Sequence, residues 1–481
     1  MAARRARAAA QALRAGREQH QAGRLLQAGA FYRRVLEAAP AHPEALYLLG
    51  VVELQSGEVD AAVARFSQAI AARPGLADAH ASLGYALTLQ GKFAEAEPAL
   101  KKALSLDSGH VLAHNNLGNA VMHLGRTDEA IAWYRKAIAI EPRYADAHFN
   151  LGLALRDWGQ LPESGESIRT ALRLRPDFPE AHNTLGCVLW ESGRLPEAAS
   201  SFRAALDLRP HYAEAYFHLH CVVLDLEGPK AAIECLQRAA ELKPQDPALR
   251  FFLGMLLEHS GDAPAAAAHF ELVARGSALD RARLDAWQYV KSLAGQRPML
   301  VGSPVRGFQV GMDAAAHPGL VLEFGVRMGA SIRQIAALAK QQVHGFDSFA
   351  GIPEDWHGEP RGSYSTKGVL PSVPRDVALH AGWFEETLPR FMAQHPEPVR
   401  LLNIDCDLYS STRTVLELLA GRIVPGSIIV FDEYLGYEHW RQDEFKAFHE
   451  AATRHGWAHE HLAVSFSTKQ AVIRITGRMP R

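Results

Sequence analysis

The sequence predicts two structural units in series: a long α-solenoid, then an α/β domain built on a parallel sheet. Three observations carry this. At 481 residues the chain exceeds what one hydrophobic core ordinarily holds. A strict internal period of 34 residues runs through its first part. Beyond it, short apolar runs alternate with helical patterns, as parallel α/β sheets require.

The period is set by several residue types at once. Leu-Gly pairs stand at Leu49-Gly50, Leu83-Gly84, Leu117-Gly118, Leu151-Gly152, Leu185-Gly186 and Leu253-Gly254. Turn glycines (Gly23, Gly57, Gly91, Gly125, Gly159, Gly193, Gly261), small residues (Ala28, Ala62, Ala96, Ala130, Ala198, Ala232, Ala266) and prolines (Pro40, Pro74, Pro142, Pro176, Pro210, Pro244) keep the same step. A glycine inside the first helix admits a close second helix, and proline stops that second helix. The set resembles the tetratricopeptide repeat. Eight units fit the register, one of them degenerate with Leu219-His220 in place of Leu-Gly. The expected boundaries are a basic tail over 1–8, the solenoid over 9–280, a connector helix and linker over 281–310, and the α/β domain over 311–481.

Solenoids bind along their concave face, which the first helix of each repeat lines. One repeat position there is polar: Ser82, Asn116, Asn150 and Thr184, followed by His218, with Asn115, Asn119 and Asn183 nearby. Asparagine amides both donate and accept, so the stripe suits a protein or peptide partner, or else is a solvated face. His80, His114, His148 and His182 share another position. Repeat helices sit about 8–10 Å apart, whereas zinc–histidine bonds measure about 2 Å. Structural packing is therefore expected of these histidines, and metal binding is not.

Bulk composition excludes some functions. A net charge of −2 favours neither nucleic acid nor an anionic membrane. No segment has the apolar length of a membrane span. Four cysteines without a closely spaced pair suit a reducing, cytoplasmic setting. The basic start of the chain could be an organelle presequence, but the repeat register begins almost at once and argues against it.

In the second unit, strands are expected at 319–324, 343–347, 377–381, 399–404 and 427–431, with a closing pair at 463–468 and 470–475. The first runs into Glu323-Phe324-Gly325-Val326-Arg327-Met328-Gly329-Ala330-Ser331 and then a helix. A glycine turn before a helix N-terminus allows close backbone approach to a ligand and favours an anionic group. Asp347 ends the second strand, where a carboxylate suits ribose hydroxyls. Nicotinamide enzymes and methyltransferases share this arrangement. The acid preceding the glycine, and the spacing to Gly329, lean toward a methyltransferase.

Two further strands end in carboxylates: Asn403-Ile404-Asp405-Cys406-Asp407 and Phe431-Asp432-Glu433-Tyr434. Acids gathered at one sheet edge repel unless a cation joins them, and hard oxygen donors suit magnesium. The bland alternative is that Asp405 and Asp432 are ordinary strand-end caps. Cys406 is a poor nucleophile candidate beside these acids. Trp356, Trp383 and Trp440 are candidate walls of a site or packed aromatics.

Residues 319–475 resemble the macrocin O-methyltransferase family. The resemblance rests on Glu323 to Gly329, His344-Gly345-Phe346-Asp347-Ser348-Phe349-Ala350-Gly351-Ile352-Pro353, Gly382-Trp383-Phe384, Asp405 to Thr412 and Asp432 to Tyr434. It implies a Rossmann-like class I methyltransferase domain that uses S-adenosylmethionine to methylate a hydroxyl on a sugar or glycan acceptor. Glu323, Gly325 and Ser331 would hold the cofactor's methionine moiety, Asp347 its ribose, and Gly382 and Trp383 would border the adenine. Asp405, Asp432 and Glu433 would bind Mg²⁺, and Asp407 would be the general base. The chain departs from the family at Glu433, where a second aspartate is usual, and at Cys406, where glycine is usual. The rival functions are a non-catalytic repeat adaptor carrying a degenerate methyltransferase fold, and an NAD(P)-dependent enzyme.

Overall fold

A computed structural model of the chain describes residues 2–293 and 295–478, and the side chains from residue 7 onward. By compactness it divides into residues 1–176 and 177–481. Met1 lies outside the described residues. The segment expected as a basic tail is helical from Ala2, since the first helix spans Ala2–Gln21. Alanine and arginine are strong helix formers, so the repeat helix extends backward through them.

The first unit is five antiparallel helix pairs, from Ala2–Gln21 with Leu25–Ala38 to Ala145–Asp157 with Leu161–Leu174. The repeat glycine is a steric necessity. A Cβ on Gly84 would lie 2.4 Å from Leu100, and one on Gly118 would lie 2.5 Å from Tyr134. Each such glycine receives the large residue of the second helix. His80, His114 and His148 place Nε2 within 2.9–3.0 Å of the carbonyls of Pro74, Ser108 and Pro142, pinning each first helix to the turn before it.

The second unit holds three more pairs: Pro179–Glu191 with Leu195–Leu208, Ala213–Leu226 with Pro229–Leu242, and Pro247–His259 with Ala263–Ala274. The helix Ala278–Ser292 follows, capped by Ser277 and Asp280 in a reciprocal capping box. In the degenerate repeat the turn slips by one residue, and Gly228 takes the left-handed position at φ 95°.

The α/β part has eight strands: β1 (Met299–Leu300), β2 (Leu320–Phe324), β3 (Val343–Asp347), β4 (Val377–Ala381), β5 (Val399–Ile404), β6 (Ile428–Phe431), β7 (Trp457–Val464) and β8 (Ala471–Arg478). Their order is β1-β7-β8-β6-β5-β2-β3-β4. All neighbours are parallel except β8, which is antiparallel to β6 and β7. The strand order reverses direction at β2, between β3 and β5. Ligands of open α/β sheets bind at such a switch point, outside the carboxyl ends of the strands.

Two elements differ from expectation. The closing hairpin is longer, with β7 starting at Trp457 and β8 ending at Arg478. The stretch 295–304 is docked chain with a short strand in it. Gly302 N–H donates to Asp225 at 2.8 Å, its carbonyl accepts from Trp190 Nε1 at 3.1 Å, and Ser303 Oγ also bonds Asp225. A Cβ on Gly302 would lie 1.9 Å from the carbonyl oxygen of Cys221, so this glycine marks close approach and not flexibility.

Candidate functional site

Strand β2 delivers Glu323 and the glycine turn to the switch point. Glu323 is wholly buried. Its Oε1 accepts from Asn403 Nδ2 at 3.0 Å, Ser331 favours its charged form, and Oε2 is buried without a partner. Burial pushes its carboxyl up to about 8. Gly325 sits at φ 94°, where a side chain is strained, and a Cβ there would lie 1.7 Å from the carbonyl oxygen of Asp405. The turn after β2 therefore touches the loop after β5 directly.

Asp347, at the end of β3, organises the same turn. Its Oδ2 accepts from the backbone N–H groups of Val326 and Arg327 at 2.8 and 2.7 Å, and its Oδ1 from Phe349 at 2.6 Å. A carboxylate has about four acceptor positions, and three backbone donors already point at this one. Gly382, at φ 136°, donates its N–H to the Asp347 carbonyl at 2.9 Å. Half-buried Trp383 follows and begins the helix Phe384–Met392. The turn, Asp347 and Gly382 thus form one hydrogen-bonded ledge.

The carboxyls after β5 and β6 stand together. Burial, then repulsion from Asp432, Asp407, Glu323 and Glu444, holds Asp405 well above the usual carboxylate range. Asp432 is also raised, by burial, against the pull of Gln470 and Lys469. Asp407 is raised to about 7 by burial and by Glu433 and Asp432. It occupies the left-handed region at φ 60°, uncommon for a residue with a side chain and frequent at working sites. Glu433 is also raised to about 7, by burial and Asp432 against the pull of Lys469.

Sequence reasoning missed three residues that complete the cluster. Lys469 Nζ donates to Glu433 at 2.8 Å. Gln470 Nε2 donates to Asp432 at 2.6 Å. Buried Glu444 accepts the Glu433 backbone N–H at 3.0 Å and leaves Oε1 unpaired. Lys469 and Gln470 sit in a turn between strands, and nothing local in the sequence points them at acids more than thirty residues away.

These partners bear on the expected magnesium ligands. Donor chemistry at Asp405, Asp432 and Glu433 suits a hard cation, but one Asp432 oxygen accepts from Gln470 and one Glu433 oxygen is held by Lys469. Among the described residues, no three or more His, Cys, Asp or Glu side chains are grouped so as to hold a metal ion. Electrostatic repulsion reaches further than ligation distances, so acids can perturb one another without forming a metal cage. As arranged, the residues do not fit the metal.

Of the tryptophans, Trp440 is a packed aromatic, 2% exposed, against Tyr289 and Phe445. Trp356 is half-buried, with Nε1 unpartnered. The Cys406 thiol is pushed up by burial and by the acids, so it is not a nucleophile.

Along the repeats, the polar stripe forms a ladder. Asn150 donates to Asn115 at 3.0 Å, His218 lies 3.0 Å from Asn183, and Ser82 stands by Tyr47, each pair 35 residues apart. Thr184 is buried and donates to the Glu180 carbonyl of its own helix at 2.8 Å. Asn116 is half-buried.

Comparison with known proteins agrees with this architecture. Residues 322–434 match the family described as "Methyltransferase domain". Tetratricopeptide repeat families match 1–77, 47–109, 87–137, 145–178, 179–212 and 221–281. A Streptomyces olivaceus protein, the 8-demethyl-8-(2,3-dimethoxy-alpha-L-rhamnosyl)-tetracenomycin-C 4'-O-methyltransferase, is 34% identical over 143 residues. That match covers 24% of this chain and about half (53%) of the relative. Among solved structures, the MamA protein is 26% identical, covering 36% of this chain and 94% of that one, with a TM-score of 0.32. YrrB, titled a TPR protein with an unusual peptide-binding site, is 25% identical, covering 40% and 96%, with a TM-score of 0.34. The APC/C hetero-tetramer Cut9-Hcn1 is 20% identical, covering 52% of this chain and 49% of that one, with a TM-score of 0.43. Among the described residues no helix is long and apolar enough to cross a membrane. The chain carries tetratricopeptide repeats across its N-terminal region and a methyltransferase domain at its C-terminus.

Proposed function

We propose that the chain is an S-adenosylmethionine-dependent O-methyltransferase acting on a sugar or glycan hydroxyl, with its repeats recruiting a partner or presenting the acceptor. The observation that carries this is the contact between the Gly325 turn and the Asp405 backbone, which sets the cofactor turn beside a half-buried carboxyl, Asp407, raised to about 7. The Streptomyces relative, whose name gives an O-methyl transfer on a rhamnosyl compound, supports the acceptor class.

The ledge fits the cofactor. Glu323 Oε2 is an open buried acceptor for an amino group, and the Gly325 position is closed to any side chain. Ser331 steadies Glu323, Asp347 keeps the turn in place and would face the ribose, and Gly382 and Trp383 would border the adenine. Bound there, S-adenosylmethionine supplies a methyl group on a sulfonium, ready for transfer to a nucleophile. Asp407 takes the acceptor's hydroxyl proton. A base raised to about 7 is half-ionised near neutrality and still basic enough to draw a proton in the transition state. Lys469 offsets the charge of Glu433, and burial holds Asp405 and Asp432 above the usual carboxylate range, so Asp407 can ionise without four bare carboxylates around it. No step of this mechanism runs through a metal.

The ladder leaves Asn116 and the spare capacity of Asn150 for a polypeptide partner, and four cysteines without a closely spaced pair suit a cytoplasmic setting. The test is an acceptor screen of glycosides with methyl-labelled cofactor, wild type against Asp407→Asn. Label transfer that depends on Asp407 is expected. Equal transfer by both proteins would reject the base assignment.

A further inference from the structure

The connection between β7 and β8, residues 465–470, has two faces. One faces repeat helices. The Phe466 ring is buried against Phe251 at 5.2 Å and Trp287 at 6.0 Å, on the helices Pro247–His259 and Ala278–Ser292. Ser467 Oγ accepts from Cys221 Sγ, on the helix Ala213–Leu226, at 3.2 Å. The other face holds the acid cluster. Lys469 and Gln470 donate to Glu433 and Asp432, and the Lys469 carbonyl accepts the backbone N–H groups of Tyr434 and Leu435 at 3.0 and 3.2 Å. Lys469 adopts φ 59° to do this.

The turn is cross-braced. Ser465 N–H donates to the Gln470 carbonyl at 2.9 Å, Thr468 N–H to Ser465 Oγ at 3.2 Å, and Thr468 Oγ1 to Gln470 Oε1 at 3.2 Å. Movement of Phe466 is therefore transmitted to Lys469 and Gln470. A second tie runs in parallel. Tyr289, on the Ala278–Ser292 helix, and Tyr434, the residue after Glu433, meet at one histidine: their hydroxyls lie 3.3 and 3.4 Å from His461 Nε2.

A hairpin tip on an isolated domain would be among its most mobile parts. Here its apolar residue is buried in the repeat array while its polar residues hold the carboxyls proposed to surround the base.

We propose that residues 465–470 form a positioning clamp through which the last repeats and the connector helix hold Asp432 and Glu433, with Lys469 and Gln470 as its positioning residues. Lys469 then serves as a built-in counter-cation whose placement the repeats set. The catalytic significance of the clamp rests on the proposed methyl transfer, but the clamp itself is measurable without it.

The test is hydrogen exchange by mass spectrometry on the full chain, comparing wild type with Phe251→Ala and the milder Phe251→Leu. Phe251 lies on a repeat helix outside the acid cluster and the cofactor ledge. Peptides covering 431–436 and 465–470 should exchange about ten-fold faster or more in Phe251→Ala and less so in Phe251→Leu. The 320–330 turn should exchange as in wild type, and S-adenosylmethionine affinity should stay within about two-fold. A loosened 465–470 with unchanged 431–436 would overturn the clamp, as would a rise spread evenly over 320–330 in both variants. Failure of wild type to bind S-adenosylmethionine would remove the proposed function and leave the exchange result standing on its own.

Discussion

Gly325→Ala isolates the contact on which the site is built. Its cost has two parts. At φ 94° an alanine pays about 1–3 kcal/mol of backbone strain. Its Cβ would also lie 1.7 Å from the Asp405 oxygen and 2.6 Å from the carbonyl carbon, so backbone must move by more than about 1 Å. Overpacking of that kind costs about 1–3 kcal/mol, giving about 2–6 kcal/mol together. Gly456→Ala is the control. Gly456 has φ 68° with nothing within 4 Å of a built Cβ, so it pays strain without a clash. Both variants should be destabilised in denaturant titration, Gly456→Ala by the strain alone and Gly325→Ala by the larger sum. Only Gly325→Ala should also lose cofactor, because relief of the clash separates the turn from the Asp405 loop. If 3 kcal/mol of that cost falls on the bound state, affinity drops by about 10²-fold. The assay is calorimetric titration with S-adenosylmethionine. Wild-type affinity in Gly325→Ala would refute the claim that the two loops are locked by contact at that atom.

Other expectations follow from the same geometry. Asp407→Asn should fold normally, since asparagine tolerates the left-handed region, and should keep cofactor affinity while losing about 10²–10⁴-fold in turnover. With wild type, the rate should rise with pH through an inflection near 7, as a base raised to about 7 ionises; a flat profile from pH 6 to 8 would count against Asp407. Glu323, raised to about 8, binds a proton in the folded state that the unfolded chain has released. Its contribution is present below the unfolded value and is lost as pH rises toward the folded one. Urea titration of Glu323→Gln should therefore show a flatter fall in stability between pH 5 and 8 than wild type, by about 1–4 kcal/mol; identical slopes would show that Glu323 is not held protonated. Asn116→Ala with Asn150→Ala should reduce partner recovery in pull-downs and leave cofactor affinity untouched, whereas unchanged recovery would leave the stripe as ladder alone.

The fold was largely legible because its signals are steric or apolar. Six repeat glycines are places where a Cβ would strike a partner side chain, so they recur in strict register. Strands β2, β5 and β6 are almost wholly buried and read as mainly apolar runs. The start of β7 was hidden because Trp457-Ala458-His459-Glu460-His461 alternates with polar residues. Strand β1 was hidden because two residues between Pro298 and Gly302 carry no pattern. The site was legible as residue types at strand ends. What those residues touch was not. That Lys469 and Gln470 reach Glu433 and Asp432, or that Asn150 meets Asn115, follows from packing between distant segments, and packing of that kind leaves no periodic trace in sequence.

The central claim is that the sheet edge carrying Gly325, Asp347 and Asp407 is a working S-adenosylmethionine site. Calorimetric titration of the full chain with S-adenosylmethionine, S-adenosylhomocysteine and NAD⁺ tests it most directly. Saturable one-to-one binding of the first two and none of the third is the expected result. Absence of S-adenosylmethionine binding, or preference for the nicotinamide cofactor, would contradict it.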